Sequence, residues 1–250
     1  MTVDPVFGLC FPLAWYDRGM STTFSGIGAY TTAEAARLTR LPPAAIRRWL
    51  FGYSYDHHGS AITQEPLWRP EYGVDQDEPL LGFRDLIEAR MVGNLRNLGI
   101  GLPTIRACFK TAAEIVDDDH PFSSASFRTD GKRIFFERVG ETGERDIIDL
   151  KTRQHAFAKI VERSFVDLEF DDQKATRWFP LLKKKTVVLD PERSFGQPIA
   201  SHSGVPTRRL VQAVAAEGSA SKVARMFEIA VGVVNDALKF EANLKGALAA

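Results

Sequence analysis

The sequence has little cysteine, no surplus of charge of either sign and no long apolar run. Its 250 residues include two cysteines, Cys10 and Cys108, which form no CxxC or Cys/His pattern. Neither a zinc site nor a disulfide framework is therefore predicted. The 32 basic and 32 acidic residues give a net charge of zero, so a nucleic-acid surface has to be a local patch. No apolar run reaches the roughly 18 residues of a membrane helix, and we expect a cytoplasmic protein that makes no membrane contact.

Motifs for catalysis and metal binding are also missing. The chain has no Walker A or GxGxxG phosphate loop. Residues 201–203 (Ser-His-Ser) have neither a nucleophile elbow nor an identifiable acidic partner. The acidic residues between 167 and 172 lie in one short segment, whereas a two-metal nuclease gathers carboxylates from distant elements. His57 and His58 lack acidic or sulfur partners at ligand spacing. We expect no enzymatic activity, no catalytic residue, no cofactor and no metal.

The clearest local pattern lies in residues 30–53, which read as two short helices joined by a tight turn. Thr31 and Glu34 stand three apart, the spacing of a capping box at a helix start. Pro42 disfavours helical geometry in the residue before it and so ends the first helix. Pro43 fits the first turn of the next helix, where its missing N–H is not needed. The pattern predicts a helix-turn-helix, with an ordinary helical hairpin as the alternative.

The second of these helices is predicted to bury one face and to expose arginines. Ile46, Trp49 and Leu50 share a face by i, i+3, i+4 spacing, which places Arg47 and Arg48 on the outside. A helix-turn-helix with outward arginines is typical of a DNA reader. We predict contacts with double-stranded operator DNA from eight residues: Thr32, Arg37, Arg40, Ala44, Arg47, Arg48, Trp68 and Arg69.

A hairpin is predicted next, with strands at residues 53–55 and 62–69 and the adjacent histidines at its tip. In this position a hairpin reads as a wing, with Trp68 and Arg69 near its end. Two amphipathic helices are predicted over residues 80–97 and 102–116. Their apolar positions exceed one stripe, which makes both helices candidates for contacts in a homodimer, with the C-terminal helices as the alternative.

Residues 28–116 resemble the winged helix-turn-helix of the MerR family. The stretches that carry the resemblance are YTTAEAA at 30–36, IRRW at 46–49, FRDL at 83–86 and the segment from Leu98 to Arg106. The resemblance implies a DNA-binding reader. The long dimerisation helix of that family and its effector pocket have no counterpart here, so no sensing role is carried over.

The rest of the chain is predicted to hold a small α+β middle over 117–190 and a C-terminal three-helix domain over 191–250. The fold class is therefore mainly α with small β elements. Strands are predicted at 134–139, 146–150 and 186–189 and a helix at 151–165, while the triplet Lys183 to Lys185 reads as a solvated loop. The C-terminal helices are predicted at 206–217, 221–228 and 231–244. They fit a second helix-turn-helix-like bundle or a plain packing trio equally well.

Several separated motifs together resemble the VapB-type antitoxin family. They are LWRP at 67–70, FRDLIEAR at 83–90, HPF at 120–122, RTDG at 128–131, DP at 190–191, SFGQP at 194–198 and GVPT at 204–207. The match covers most of residues 28–245. That family joins a MerR-like reader to a small C-terminal helical domain of unknown function. The resemblance implies that the protein binds operator DNA to repress its own operon and neutralises a PIN-like ribonuclease toxin.

We expect the toxin to contact the C-terminal half, because the basic reader occupies the N-terminal half. The candidate residues are Phe195, Gly196, Gln197, Pro198, Arg208 and Arg209. The alternative function is a one-component MerR-like transcriptional regulator, whose residues 117–190 would sense a ligand. A short PIN-like reading frame beside the gene would distinguish the antitoxin from this regulator.

Residues 1–27 are expected to form a flexible leader. Residues 17–19 (Asp-Arg-Gly), just before Met20, can be encoded by purine-rich codons that resemble a ribosome-binding site. We therefore expect natural translation to start at Met20, with a real but floppy N-terminus as the alternative. Mass spectrometry of the natural protein's N-terminus tests this, and a terminus upstream of Met20 would contradict it.

Overall fold

The described part of the protein consists of helices packed around one buried helix, with small antiparallel hairpins and strand pairs at the edges. The computed structural model describes residues 26–73, 80–128, 159–181 and 184–246. The helices are α1 (Thr32–Thr39), α2 (Pro43–Phe51), α3 (Phe83–Asn97), α4 (Leu102–Val116), α5 (Thr207–Glu217), α6 (Ala220–Met226) and α7 (Val231–Gly246). Residues 125–128 and 159–165 are also helical.

The strands form antiparallel pairs. They are β1 (Tyr30–Thr31) with β4 (Leu80–Leu81), β2 (Tyr53–His57) with β3 (Ser60–Gln64), β5 (Leu168–Asp171) with β6 (Lys174–Trp178), and β7 (Val187–Val188) with β8 (Ile199–Ala200). The predicted fold class, mainly α with small β elements, is confirmed. No helix in the described ranges has both the length and the apolar character needed to cross a bilayer.

Helix α3 is the centre of the main core because it is buried on all sides. Its apolar residues Leu86, Ile87 and Met91 are fully buried, and so is the carboxylate-bearing Glu88. The surplus apolar positions that suggested a dimer contact on this helix pack inside the chain instead, so that prediction is wrong for α3. The helix begins at Phe83 rather than at residue 80, because residues 80–81 form β4 and pair with β1. Helix α4 has the predicted bounds.

A fully buried carboxylate, that of Asp85, lies in the first turn of α3. It accepts hydrogen bonds from the indole Nε1 of Trp68 (2.8 Å), from the backbone N–H of Glu71 (3.0 Å) and from that of Gly82 (2.9 Å). The Nε2 atom of His120 lies 2.9 Å from the same carboxylate. The start of α3 is thereby joined to the segment after the wing and to the segment after α4.

A second buried carboxylate, that of Glu88, lies one turn further along α3. It accepts hydrogen bonds from the backbone N–H groups of Phe122 (3.3 Å) and Ser123 (2.8 Å). Arg84, on the same helix, forms a 2.9 Å ion pair with Asp118. The LWRP, FRDLIEAR and HPF motifs therefore meet in one buried polar network.

The β5–β6 hairpin is fastened to α3 by Arg90. Its Nη2 atom lies 2.7 Å from the Asp167 carboxylate, and its guanidinium carbon lies 4.6 Å from the centre of the Trp178 ring. Trp178 also donates its Nε1–H to Asp167 at 2.9 Å. Charge pairing and cation–π stacking together place the hairpin against the core.

Helices α5, α6 and α7 form the predicted C-terminal trio. Leu210, Val223 and Val234, one from each helix, are fully buried in a separate small core. The second half of α7 instead contributes Phe240 and Leu244 to the main core around α3. One helix thus belongs to both cores. Helix α6 ends at Met226 rather than at the predicted residue 228.

Some predictions fall outside the described residues. These are the strands at 134–139 and 146–150, the first part of the helix at 151–165, most of the RTDG motif and the leader up to residue 25. The domain boundaries at residues 28, 117 and 191 also stay predictions.

The buried network has proton affinities unlike those of the unfolded chain. Burial raises the pKa of Glu88 to about 7, although nearby His120 and a backbone N–H oppose the shift. Burial and the Asp85 charge raise the pKa of Glu71 to about 7. Burial lowers the pKa of His120, but the hydrogen bond and charge of Asp85 outweigh it and the net shift is upward. All three groups hold protons more strongly in the folded chain.

Stability should therefore fall as pH rises from about 5 to 8. The contribution of Glu88 is fully present below its unfolded pKa of 4.5 and is lost as pH rises through about 7. The contribution of His120 is fully present below 6.5 and is lost as pH rises through its raised pKa. Thermal unfolding followed by circular dichroism should give a lower Tm at pH 8 than at pH 6.

Glu88→Gln mimics the protonated carboxyl group and should reduce this difference in Tm. Glu114→Gln on the exposed side of α4 is the matched control and should keep the parent's pH dependence. A Glu88→Gln variant whose Tm falls with pH as steeply as that of the parent would contradict the assignment.

Candidate nucleic-acid interface

The helix-turn-helix begins with the capping box that the sequence predicted. The Thr31 hydroxyl accepts from the Glu34 backbone N–H at 3.2 Å, and the Glu34 carboxylate accepts from the Thr31 backbone N–H at 3.1 Å. Helix α1 ends at Thr39, and Arg40 follows in the left-handed region with φ 60°. Helix α2 then begins at Pro43, as predicted.

Helix α2 separates a buried face from an exposed one. The buried face is formed by Ile46, Trp49 and Leu50, as the i, i+3, i+4 spacing predicted. The exposed face carries Ala44, Arg47 and Arg48, which are also spaced i, i+3, i+4. The predicted exposure of Arg47 and burial of Trp49 are both confirmed.

The two arginines of α2 have different surroundings. The guanidinium carbon of Arg48 lies 5.5 Å from the centre of the Tyr53 ring, at the start of β2. Such cation–π contacts orient an arginine without neutralising its charge. Arg47 forms no hydrogen bond or ion pair within the described ranges. Arg48 is therefore directed toward the hairpin, while Arg47 is available on the open face of the helix.

Strands β2 and β3 form the predicted wing, but β2 continues to His57, beyond the predicted residue 55, and β3 covers Ser60–Gln64 instead of the predicted residues 62–69. The connecting residues His58 (φ 53°) and Gly59 (φ 81°) both have positive φ, as a two-residue type I′ turn requires. The strand register runs from Tyr53 opposite Gln64 to the residues beside this turn. Gly52 joins α2 to the wing at φ 69°, and a Cβ there would lie 2.4 Å from the Gln64 carbonyl oxygen. Glycine at this point lets the wing follow the helix directly.

The base of the wing is held by contacts that the sequence did not reveal. The Leu67 backbone N–H donates to the Trp49 carbonyl at 2.7 Å, which joins the wing to the end of α2. Arg106 on α4 donates to the carbonyl groups of Glu65 and Pro66, each at 2.8 Å. The periodicity of α4 gave no signal for this, because the partners of Arg106 are backbone atoms about 40 residues away.

Trp68 is a correction to the predicted DNA-contacting set. Its side chain is 4% exposed and donates to Asp85, so it belongs to the core and not to the surface. Arg40 and Arg69 are exposed. Thr32 and Arg37 are half-buried, and the Thr32 Oγ1 and Arg37 Nε atoms have no hydrogen-bond partner in the described part of the chain.

Most of the predicted toxin-binding segment, residues 195–198, is buried or hydrogen-bonded to other parts of the chain. The Ala29 backbone N–H donates to the Phe195 carbonyl at 2.9 Å, and the Tyr30 hydroxyl donates to the Gly196 carbonyl at 2.7 Å. Gly196 and Pro198 are buried, and Gln197 is half-buried. The Phe195 side chain is 76% exposed.

Arg208 and Arg209, the other two residues predicted to bind the toxin, lie in the first turn of α5. Both side chains are exposed. The nearest acidic atom to Arg208 is the Glu34 Oε1 atom at 4.0 Å, a long contact across to α1. The exposed residues of the predicted set are therefore Phe195, Arg208 and Arg209.

The acidic run before and within β5 does not form a metal site. Asp167 is paired with Arg90, and Glu169 is paired with Lys185 at 2.6 Å. No cluster of three or more potential metal ligands occurs among the residues that the structure describes. Lys184 and Lys185 lie in a solvent-exposed loop, as predicted, and Lys184 also pairs with Asp236 at 2.7 Å; Lys183 lies outside the described residues.

A cavity of about 570 Å³ lies between the start of α3 and the β5–β6 hairpin. Its charged lining includes Arg84, Glu169, Arg177 and Asp190. These groups are already satisfied inside the protein, since Arg177 pairs with Asp190 at 2.9 Å and with Glu169 at 3.5 Å. Glu71, Asp171, Lys174 and Glu192 also line the cavity.

The N-terminal part of the chain matches a known protein family. Residues 28–109 match a protein family described as "Putative DNA-binding HTH domain". The match contains α1, α2, the wing, α3 and the first half of α4. The residues built into the helix-turn-helix geometry thus coincide with the residues that match this family.

Two further comparisons extend over most of the chain. The chain is 27% identical to "Putative antitoxin VapB45" of Mycobacterium tuberculosis (strain ATCC 25618 / H37Rv), over 84% of this chain and 92% of that protein. It is also similar to the crystal structure of Rv2018 from Mycobacterium tuberculosis, with a TM-score of 0.62 and 23% identity, over 84% of this chain and 96% of that one. The second likeness supports the fold alone.

The resemblance that the separated sequence motifs indicated is therefore confirmed, and the chain resembles a VapB-type antitoxin that carries an N-terminal helix-turn-helix.

Proposed function

We propose that this protein is an antitoxin that binds operator DNA, represses its own operon and neutralises a PIN-like ribonuclease toxin. The observation that carries the DNA-binding part is the exposed face of α2, where Ala44, Arg47 and Arg48 lie opposite a buried face and beside a wing. Similarity to a protein described as an antitoxin supports the second part. An antitoxin needs no catalytic group, and we propose none here. We also propose a cytoplasmic location, because both proposed partners, the operator DNA and the ribonuclease toxin, lie there.

Arg47 and Arg48 should have different tasks on DNA. Adjacent residues of a helix point about 100° apart, so the two side chains cannot make the same contact. Arginine can bind the O6 and N7 atoms of guanine with two hydrogen bonds. Arg47, for which the described part of the chain provides no hydrogen bond or ion pair, is suited to a base. Arg48, directed toward the wing by Tyr53, is suited to a backbone phosphate.

Arg47→Ala should remove the preference for the operator, a loss of about 1–3 kcal/mol of discrimination, while weak binding to random DNA remains. Arg48→Ala should weaken binding to both DNAs and reduce the slope of log affinity against log salt concentration by about 1. The measurement is fluorescence anisotropy at several salt concentrations, with a duplex from upstream of the protein's own gene and a random duplex.

Arg163→Ala is the charge-matched control, since Arg163 is an exposed arginine far along the sequence from the reader. It should bind both duplexes as the parent does. If Arg47→Ala binds the upstream duplex as tightly as the parent, α2 is not the reader.

We also propose that the protein acts as a homodimer, because one helix-turn-helix reads only a few base pairs and paired modules read a palindrome. The outer face of α4, where Ile115 is 47% exposed, and the C-terminal bundle remain as candidate contacts. Light scattering should give about twice the chain mass of 27.8 kDa at micromolar concentration. A monomer would count against the dimer.

The toxin-binding surface is proposed at the three exposed residues Phe195, Arg208 and Arg209. Exposed aromatic residues and arginines are the residue types from which interface hot spots are built. Phe195 has φ 54°, a region in which asparagine is tolerated, so Phe195→Asn removes the ring without straining the backbone. Arg209 forms no ion pair within the described ranges, so replacing it removes no internal contact of that kind, whereas Arg208 lies 4.0 Å from Glu34.

Phe195→Asn combined with Arg209→Ala should abolish rescue of cells that express the PIN-like toxin encoded beside the gene. Loss of a hot spot of about 2 kcal/mol corresponds to an approximately 30-fold weaker complex, which titration calorimetry would measure. The matched control is Val166→Ala with Arg163→Ala, an exposed apolar residue and an exposed arginine elsewhere. Full rescue by the first variant would exclude this surface.

The one-component regulator remains the alternative. The cavity beside α3 is the observation in its favour, although Arg177 in its lining is already paired with Asp190 and Glu169. A gene neighbourhood without a PIN-like reading frame would favour the regulator.

A further inference from the structure

We infer that α6 and α7 form a second helix-turn-helix, in which Asn235 and Lys239 of α7 contact double-stranded DNA. This inference concerns a different surface from the α2 face and does not rest on it.

The connection between the two helices has the form of a helix-turn-helix. Helix α6 ends at Met226, and α7 begins at Val231, so the turn has four residues. Glu228 adopts the left-handed conformation with φ 54°. The Ile229 backbone N–H then donates to the Ala224 carbonyl at 2.9 Å, which closes the end of α6.

The two helices pack through small side chains. Ala224 on α6 and Ala237 on α7 are buried, as are their larger neighbours Val223 and Val234. Alanine at such positions lets two helices approach closely. Leu210 of α5 completes this core. Helix α5 thus packs against the other two helices as the supporting helix of a DNA-binding domain does. Helix α7 is thus the second helix of the motif, the one that enters the major groove.

The first half of α7 presents a face that no other part of the described chain covers. Val231, Asn235 and Lys239 are exposed and spaced four residues apart, so they lie on one side of the helix. Their chemistry fits base edges: an apolar side chain contacts the thymine methyl group, asparagine binds adenine and lysine binds guanine or a phosphate. Val231, at the start of the helix, is 43% exposed, and an apolar side chain in that position is suited to contact a partner.

The acidic residues of α7 do not face this surface. Asp236 is 6% exposed and accepts from Lys184 at 2.7 Å and from the Thr186 hydroxyl at 3.0 Å. Glu241 is 4% exposed and accepts from the Thr207 hydroxyl at 2.5 Å. Both carboxylates are used inside the protein.

The exposed charges of the motif are therefore mainly basic. Lys222, Arg225, Lys239 and Lys245 are exposed, and Glu228 is the exposed acid within α6, the turn and α7. Lys222 is paired with Glu217 of α5. Arg225 and Lys239 suit phosphate contacts at the edge of a groove. Duplex DNA is the occupant that this combination of polar and basic side chains on a helix-turn-helix fits best.

The surface proposed for the toxin uses other residues. Phe195 precedes β8, and Arg209 lies in the first turn of α5, whereas the second reader uses α6 and α7. The same chain can therefore carry both surfaces.

Hydroxyl-radical footprinting on the duplex from upstream of the protein's own gene tests the inference with the full chain. The double variant Asn235→Ala/Lys239→Ala should lose one block of protection, and Arg47→Ala should lose a different block. Loss of base contacts worth about 1–3 kcal/mol corresponds to an affinity reduced about 5- to 150-fold, measured by anisotropy on the same duplex.

Lys245→Ala is the matched control, because Lys245 is an exposed lysine of the same helix about 9 Å further along its axis. It should keep the parent's footprint. Circular dichroism should show that each variant retains the parent's Tm, and Lys239→Gln alone replaces the double variant if that variant unfolds.

The inference is overturned if the double variant protects the same bases with the parent's affinity, or if the parent protects no base. It is also overturned if the double variant keeps its DNA affinity and instead loses toxin neutralisation, since the face would then bind protein. A variant Arg47→Ala that binds like the parent would contradict the α2 reader and leave this inference standing.

Discussion

The buried carboxylate of Asp85 is the interaction on which the rest of the described structure depends. It lies at the positive end of the α3 dipole and accepts from the Trp68 indole and from two backbone N–H groups. His120 approaches it from the segment after α4. A buried carboxylate is tolerated only with such partners, so this one residue fixes where three distant segments meet. One of these segments follows the wing, so Asp85 also attaches the helix-turn-helix and its wing to the core.

The reader and the C-terminal bundle are parts of one packed structure. Helix α7 places Val234 in the small C-terminal core and Phe240 in the main core. At the other side of the bundle, the Tyr30 hydroxyl, just before α1, donates to the Gly196 carbonyl. Burial raises the pKa of Tyr30, so its hydroxyl remains a donor. A partner that binds beside Phe195 thus meets backbone that is directly bonded to the start of the helix-turn-helix.

Local features of the fold could be predicted from the sequence, and features set by distant contacts could not. The capping box of Thr31 with Glu34 and the start of α2 at Pro43 depend on residues within one turn, so spacing alone was sufficient. Trp68 is predicted to contact DNA because it lies near the end of the predicted wing, but it is buried in the structure. Its partner Asp85 is 17 positions away, and no periodicity records that bond. The predicted dimer contact of α3 was wrong for the same reason, since the burial of its apolar residues depends on which distant segments pack against the helix. The burial of Gly196 against Tyr30, 166 positions away, was equally hidden.

The net charge of zero understates how basic the surface is in the part of the chain that the structure describes. The buried charged side chains within the described ranges are five acids and one histidine, and no arginine or lysine is among them. Two of those acids, Glu88 and Glu241, have hydrogen-bond partners that carry no charge. Glu88 has a pKa raised to about 7 by burial, so it carries only part of a negative charge at neutral pH. The exposed arginines and lysines are then balanced by fewer exposed acids than the composition implies. A neutral sequence can in this way fold into a protein with the basic patches that DNA binding requires.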